Sequence, residues 1–292
     1  MVTMQAWLSN TLANSPTLHR FVVHDCSLTY LAWGNPNHPP LLFLHGGYAN
    51  AHWFSHIAPH FTDQYYVCAL NFSGHGLSDW RDQYQIMDFV DELAGCIAQL
   101  NHQPLTLIGH SFGARIAYLY SRLREHQLAY LCLLDPPEVT QTHITLRQEL
   151  KKSRVQTFYR DPQALIQRFR LIPSQPIYHP EIVEHVAKNS IICTPEGYRW
   201  QTDINLFAKF LPADIPQNHI VCGAPVCDLI YGEFSEITTA AVRETLHAQL
   251  PAMQMISLAD AHHALMLDQP QTLIQQLKDR ILHHSQAVSH AG

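Results

Sequence analysis

The sequence predicts an α/β fold, a mostly parallel central sheet flanked by helices and interrupted by a helical cap insertion. Three observations predict it. Short β-rich runs alternate with longer helical patterns through residues 1–137, as βαβ units require. The alternation stops over 138–212, where helical stretches and prolines take over, and it resumes over 213–292. A Gly-x-Ser-x-Gly turn, Gly109-His110-Ser111-Phe112-Gly113, sits directly between an apolar run and a helix-like stretch. The chain thus divides into a first core part (1–137), a cap (138–212) and a second core part (213–292).

Strands are expected over 28–33 and 41–44, on either side of the turn Gly34-Asn35-Pro36-Asn37, then over 65–70, 105–108 and 130–134. Between the third and fourth of these, Ile86, Phe89, Val90, Leu93, Ile97 and Leu100 recur at spacings of three and four, which places them on one helix face able to cover the sheet. No strand is expected from about 138 to 212. There prolines such as Pro162, Pro173 and Pro180 separate helical stretches, and aromatic residues gather, among them Phe169, Trp200 and Phe207. Such an insertion packs over a sheet and encloses a largely apolar pocket. A strand over 219–222, a helix over 234–250, a strand over 253–258 and a helix over 271–284 complete the reading, and 285–292 reads as a frayed tail.

Composition narrows the function. A chain of 292 residues buries a sizeable core, and 47% hydrophobic with 14% charged residues describes a compact soluble protein. The net charge of −6 leaves no basic stripe for phosphates, so no nucleic-acid partner is expected. Seven scattered cysteines, mostly within apolar runs, read as free thiols in a reducing compartment. Residues 1–15 lack the basic and apolar regions of a secretory signal, so a cytoplasmic location is expected. No stretch approaches the roughly 20 apolar residues that span a bilayer.

The chemistry centres on Ser111. A turn of this type between a buried strand and a helix strains the serine backbone and exposes its hydroxyl at the carboxyl edge of the sheet, while Gly109 and Gly113 permit the close approach of strand and helix. A serine hydroxyl is a weak nucleophile until a histidine takes its proton, and the imidazolium then needs a carboxylate. Two backbone N–H donors must also hold the developing oxyanion. Phe112 follows the nucleophile at a helix start, and Gly47, in His45-Gly46-Gly47-Tyr48 after a strand, is the other candidate, with Tyr48 second. Histidines and aspartates suited to the remaining roles follow the last two expected strands, in Gly223-Ala224-Pro225-Val226-Cys227-Asp228 and Ala259-Asp260-Ala261-His262-His263.

Together these residues resemble the α/β-hydrolase superfamily, in its capped, lipase-like and esterase-like branch. The segment Asn71-Phe72-Ser73-Gly74-His75-Gly76-Leu77-Ser78-Asp79 is similar to the family's Arg-Gly-His-Gly-x-Ser turn, with Ser73 in place of the arginine. The resemblance spans nearly the whole chain outside the cap. It implies the order nucleophile, acid, histidine, and so points to Asp228 as the acid. Asp135, in Leu133-Leu134-Asp135-Pro136-Pro137, is the rival, because some relatives supply the acid from that earlier strand. Resembling chains carry a histidine followed by four residues and then an acidic-x-Pro, a spacing that His263 makes with Asp268-Gln269-Pro270, so His263 is the expected base and His262 a neighbour that points elsewhere.

Other patterns carry less. His52, His56 and His60 are spaced by four, but no Glu follows His52 and Pro59 interrupts the helix, so no metal is expected. Gly74-His75-Gly76 lacks the third glycine of a dinucleotide fingerprint, no Gly-Lys-Ser/Thr occurs, and no cofactor is implied. The expected activity is a cofactor-free serine hydrolase that cleaves a carboxylic ester of a small to medium hydrophobic substrate through an acyl-enzyme on Ser111. Carbon–carbon bond, thioester or lactone hydrolysis on the same residues is the alternative. A ligand receptor with little turnover, or a lyase or cofactor-independent oxygenase, is a further one.

Overall fold

The computed structural model describes residues 3–100, 104–124, 128–139, 154–211 and 225–289. Ten strands are defined among them: β1 (Thr17–Val23), β2 (Cys26–Trp33), β3 (Pro40–Leu44), β4 (Tyr66–Asn71), β5 (Leu105–His110), β6 (Leu128–Leu134), β7 (Ile191–Thr194), β8 (Gly197–Trp200), β9 (Cys227–Gly232) and β10 (Gln254–Leu258). The helices are α1 (Met4–Leu12), α2 (Ile86–Ile97), α3 (Phe112–Leu123), α4 (Pro162–Ile166), α5 (Pro180–Lys188), α6 (Ala240–Gln249), α7 (Leu265–Asp268) and α8 (Pro270–Ser289).

Eight strands form one sheet in the order β1-β2-β4-β3-β5-β6-β9-β10. The pairs β1/β2 and β2/β4 are antiparallel and the rest parallel. Parallel strands need both faces covered, and the two-residue side-chain period divides each strand between two cores. In β3, Leu42 and Leu44 join α2, α3 and α6 on one face, whereas Leu41 and Phe43 join α1 and α8 on the other. All five residues of β3 are buried, which marks it as a central strand. The periodic face expected around Phe89 and Leu93 is the buried face of α2, whose entry is fixed by the Asp88 carboxylate accepting from the Gln85 N–H at 2.8 Å.

Two sequence expectations need correction, and a third lies outside the described residues. The edge strand β1 was not expected. Its burial alternates only weakly, because a strand with one solvent-facing side interleaves His19 and Arg20 with Leu18 and Phe21. The segment expected to lack strands contains the hairpin β7/β8 beside α4 and α5, closed by Thr194 and Gly197. The strand expected over 219–222 falls outside the described residues, and the strand that pairs with β6 is β9, beginning at Cys227. That shift relocates Asp228. The segment 154–211 lies against the carboxyl edge of the sheet: Asn50 Nδ2 donates to Ser190 Oγ, Trp80 Nε1 donates to the Gln201 carbonyl, and Phe207 packs edge-on against Tyr48 and Phe112. Among the described residues no helix is long and apolar enough to cross a membrane.

Candidate active site

The parallel strands β3, β5, β6 and β10 all end at one edge of the sheet, so the loops that follow them converge. Ser111, directly after β5, has φ of 53°, a left-handed conformation that costs a non-glycine residue energy. Close packing holds it there. A Cβ on Gly109 would lie 2.5 Å from the Gly113 carbonyl oxygen, and one on Gly113 would lie 2.6 Å from the carbonyl oxygens of Leu44 and His45. Ser111 N–H donates to the Leu134 carbonyl at 2.9 Å, tying the turn to the end of β6.

The next residue of that strand end is Asp135, also at positive φ and fully buried. Its Oδ1 accepts the Gly232 N–H at 3.0 Å, and its Oδ2 accepts Ser235 Oγ–H at 2.5 Å and stands 2.6 Å from His263 Nδ1. The opposite nitrogen, His263 Nε2, lies 2.9 Å from Ser111 Oγ. With the carboxylate accepting from Nδ1–H, Nε2 is left as the acceptor for the serine hydroxyl. The three side chains form a continuous relay from a half-buried serine to a buried carboxylate.

Asp228 is not part of it, contrary to the sequence expectation. It is the second residue of β9, paired with Cys132 within the sheet rather than following a strand end. Arg280 Nε donates to its Oδ2 at 2.6 Å, Tyr130 Oη–H donates to the same oxygen at 2.8 Å, and His284 Nε2 lies 3.0 Å from it. Burial alone would raise the Asp228 pKa, and hydrogen bonds from Arg280, His284 and Tyr130 outweigh it, so the carboxyl titrates below its usual range. This carboxylate fastens α8 to the sheet.

His262 turns from the relay toward Asp268, Tyr178 and Phe234, as expected. Residues absent from the sequence expectation support the base. His110 Nε2–H donates to the His263 carbonyl at 2.9 Å with the two rings 4.7 Å apart. Gln175, from the inserted segment, accepts the Ala264 N–H through Oε1 and donates to Asp268 through Nε2, each at 2.9 Å. Neither has a local sequence signature, since both act on residues far along the chain.

On the other side of Ser111 runs the loop from His45 to Tyr48. A Cβ on Gly46 would come within 3.2 Å of Ser111 Cβ, and one on Gly47 would meet the Phe207 ring at 2.7 Å and Phe112 Cβ at 3.9 Å. Tyr48 N–H is already committed to His75 Nε2 at 3.1 Å, which leaves Gly47 as the candidate donor of the loop beside Phe112, the first residue of α3. His75 Nδ1–H donates to the Ser73 carbonyl at 3.0 Å, and His45 Nδ1–H donates to the Gly46 carbonyl while its Nε2 accepts the Phe72 N–H. Burial keeps both rings neutral, pulling His75 down to about 4 and His45 well below its ordinary value. The histidines at positions 52, 56 and 60 go to separate partners: Ser55 Oγ, the Met266 carbonyl and Thr11 Oγ1.

A sheet of this topology, with a strained serine beside a histidine and a buried aspartate at its carboxyl edge, has the layout of the α/β-hydrolase fold. Residues 39–172 match the family model described as alpha/beta hydrolase fold. The serine hydrolase-like protein of Homo sapiens is 34% identical over 109 residues, 36% of this chain and 54% of that protein. The chain spans about half or less of the length of the curated serine hydrolase-like relatives it matches. Among solved structures, a thioesterase domain from the curacin biosynthetic pathway has a TM-score of 0.74 at 21% identity, covering 92% of this chain and 100% of that one. An E-2-(acetamidomethylene)succinate hydrolase has a TM-score of 0.73 at 19% identity, covering 90% and 98%. The sheet and its flanking helices have the α/β-hydrolase fold, and the sequence is similar to that family over residues 39–172.

Proposed function

We propose that the protein is a serine hydrolase that cleaves a carboxylic ester of a small to medium hydrophobic substrate through an acyl-enzyme on Ser111. One observation carries the reading: Ser111 Oγ, His263 and Asp135 stand in line at 2.9 and 2.6 Å. Ser111 Oγ attacks the carbonyl carbon as His263 Nε2 takes its proton, and Asp135 stabilises the imidazolium through Nδ1–H without taking the proton itself. The carbonyl oxygen becomes an oxyanion held by the N–H groups of Gly47 and Phe112, the latter favoured by the positive end of α3. His263 returns the proton to the leaving alcohol. Water, deprotonated by the same imidazole, then releases the acid and restores Ser111. The rings of Phe112, Phe207 and Tyr48 around Gly47 support an apolar acyl group. Free, buried thiols at Cys26, Cys68, Cys96, Cys132 and Cys227 support a reducing, cytoplasmic setting.

The reading is tested with 4-nitrophenyl acetate, butyrate, octanoate and palmitate, using the wild type beside Ser111→Ala, His263→Ala and His262→Ala. Activity lost in the first two variants and kept in the third supports it, and the optimum chain length sizes the pocket. A folded wild type inert toward every ester, or a Ser111→Ala variant as active as the wild type, contradicts it.

A further inference from the structure

A cavity of about 280 Å³ opens beside Tyr48, one residue beyond the candidate oxyanion donor Gly47. Its walls differ in character. Trp200, Phe169 and Ile204 contribute apolar lining, and Arg154, Arg168 and Arg170 line it as well. Three cations around one small cavity in a chain of net charge −6 call for an explanation.

None of the three forms an ion pair among the described residues, whereas Arg81, Arg124 and Arg280 each meet a carboxylate. Arg168 lies 5.6 Å from the centroid of the Tyr159 ring, and Arg170 donates to the carbonyls of Gln167 and Phe169. Three acidic side chains of the same segment, Asp161, Glu184 and Asp203, are engaged elsewhere, Glu184 with Lys188. Asp161 accepts from the Gln163 N–H at the start of α4, and Asp203 pairs with Lys209 and accepts from Tyr84 Oη–H. Arg154 is held in place by Asn205, which accepts its N–H at 2.6 Å and donates to its carbonyl at 2.9 Å. Like charges lining one cavity repel one another, and an anion among them removes the repulsion while accepting charge-assisted hydrogen bonds.

We propose that Arg154, Arg168 and Arg170 bind an anionic group, a carboxylate or a phosphate, carried on one arm of the substrate. The inference rests on the serine hydrolase reading and adds a substrate class to it: an ester whose apolar part lies on Trp200 and Phe169 and whose charged end reaches the arginines. The arginines act on binding, so they set KM rather than the rate of acyl transfer.

Two matched pairs of esters test it: mono-4-nitrophenyl glutarate against 4-nitrophenyl pentanoate, and 4-carboxyphenyl butyrate against phenyl butyrate. The carboxylate lies on the acyl side in the first pair and on the leaving-group side in the second. In at least one pair, kcat/KM for the charged ester is expected to exceed that of the neutral one by about tenfold, through KM, and the ratio to fall as salt is added. The ratio collapses toward one in Arg154→Gln/Arg168→Gln/Arg170→Gln and persists in Arg20→Gln, which removes a charge elsewhere on the surface. Competition by glutarate and by inorganic phosphate separates the two anions. Equal ratios in the wild type and the triple variant overturn the proposal. If no ester is cleaved, the serine hydrolase reading fails separately, and calorimetric titration with glutarate and with phosphate decides the site: binding by the wild type and none by the triple variant supports it, and equal binding or none by both refutes it.

Discussion

His110 Nε2–H donates to the main-chain carbonyl of His263 at 2.9 Å, so the residue ahead of the serine also fixes the backbone of the histidine that faces it. Burial and the neighbouring His263 hold His110 neutral, down at about 3, so no second charge develops beside His263 at ordinary pH. Serine and histidine follow strands separated by four others in the chain, and this bond couples them.

His110→Ala is therefore expected to lower kcat by about 10- to 100-fold with little change in KM, because a small misplacement of a base is costly in rate. His110→Gln, which keeps a donor, recovers part of the loss. Steady-state kinetics on 4-nitrophenyl butyrate measure both, and an unchanged kcat in His110→Ala removes the positioning role.

The two aspartates separate cleanly. Asp135→Asn is expected to reduce kcat by about 10³ to 10⁴ with the fold intact, since the amide no longer selects the His263 tautomer or stabilises its cation. Asp228→Asn leaves Arg280 short of its counter-charge and is expected to cost about 3 kcal/mol of stability while the remaining folded protein stays active. Urea denaturation beside ester kinetics distinguishes them, and the reverse pattern would restore Asp228 as the acid.

That contrast shows where the sequence is legible. The elbow was readable because its cause is local: strand, glycine, serine, glycine and helix follow one another, and the steric demand of Gly109 and Gly113 is met by neighbours in the chain or in β3. The apolar runs of β3 and β5 were readable because central parallel strands are buried on both faces. Asp228 was misplaced because 219–222 and 227–232 are both apolar runs, and choosing the earlier one puts Asp228 after a strand rather than inside it. An aspartate inside an apolar run is itself a sign of a buried charge partner, but Arg280 and His284 lie more than 50 residues away. Ser235, Gln175 and His110 act through contacts at similar or greater separations, which spacing does not reveal.

Gly109→Ala and Gly113→Ala test the close approach. Each new methyl meets backbone rather than a flexible side chain, so strand and helix must separate, at about 1–3 kcal/mol or more of stability and with loss of the Ser111 geometry. Thermal unfolding together with activity measures both, and a fully active, equally stable alanine variant contradicts the packing described.

Acid stability follows from the buried histidines. His52, His56 and His75 are each held near 4, chiefly by burial, and His110 near 3. Their folded values lie below the ordinary 6.5, so the unfolded chain binds more protons between these limits, and their contribution is complete above about 6.5 and is lost as pH falls toward 4. Denaturation midpoints measured from pH 7.5 to 4 are expected to fall steeply below 6.5. A flat profile over that range means that these rings are not buried neutral.

The most direct test of the central claim is intact-mass analysis after treatment with a fluorophosphonate, which reacts with a serine whose proton a neighbouring base can take. One adduct on the wild type, mapped to Ser111, absent from Ser111→Ala and formed slowly in Asp135→Asn, is the predicted result. A folded wild type that acquires no adduct, or a Ser111→Ala variant labelled to the same extent, contradicts an activated Ser111 and with it the hydrolase mechanism.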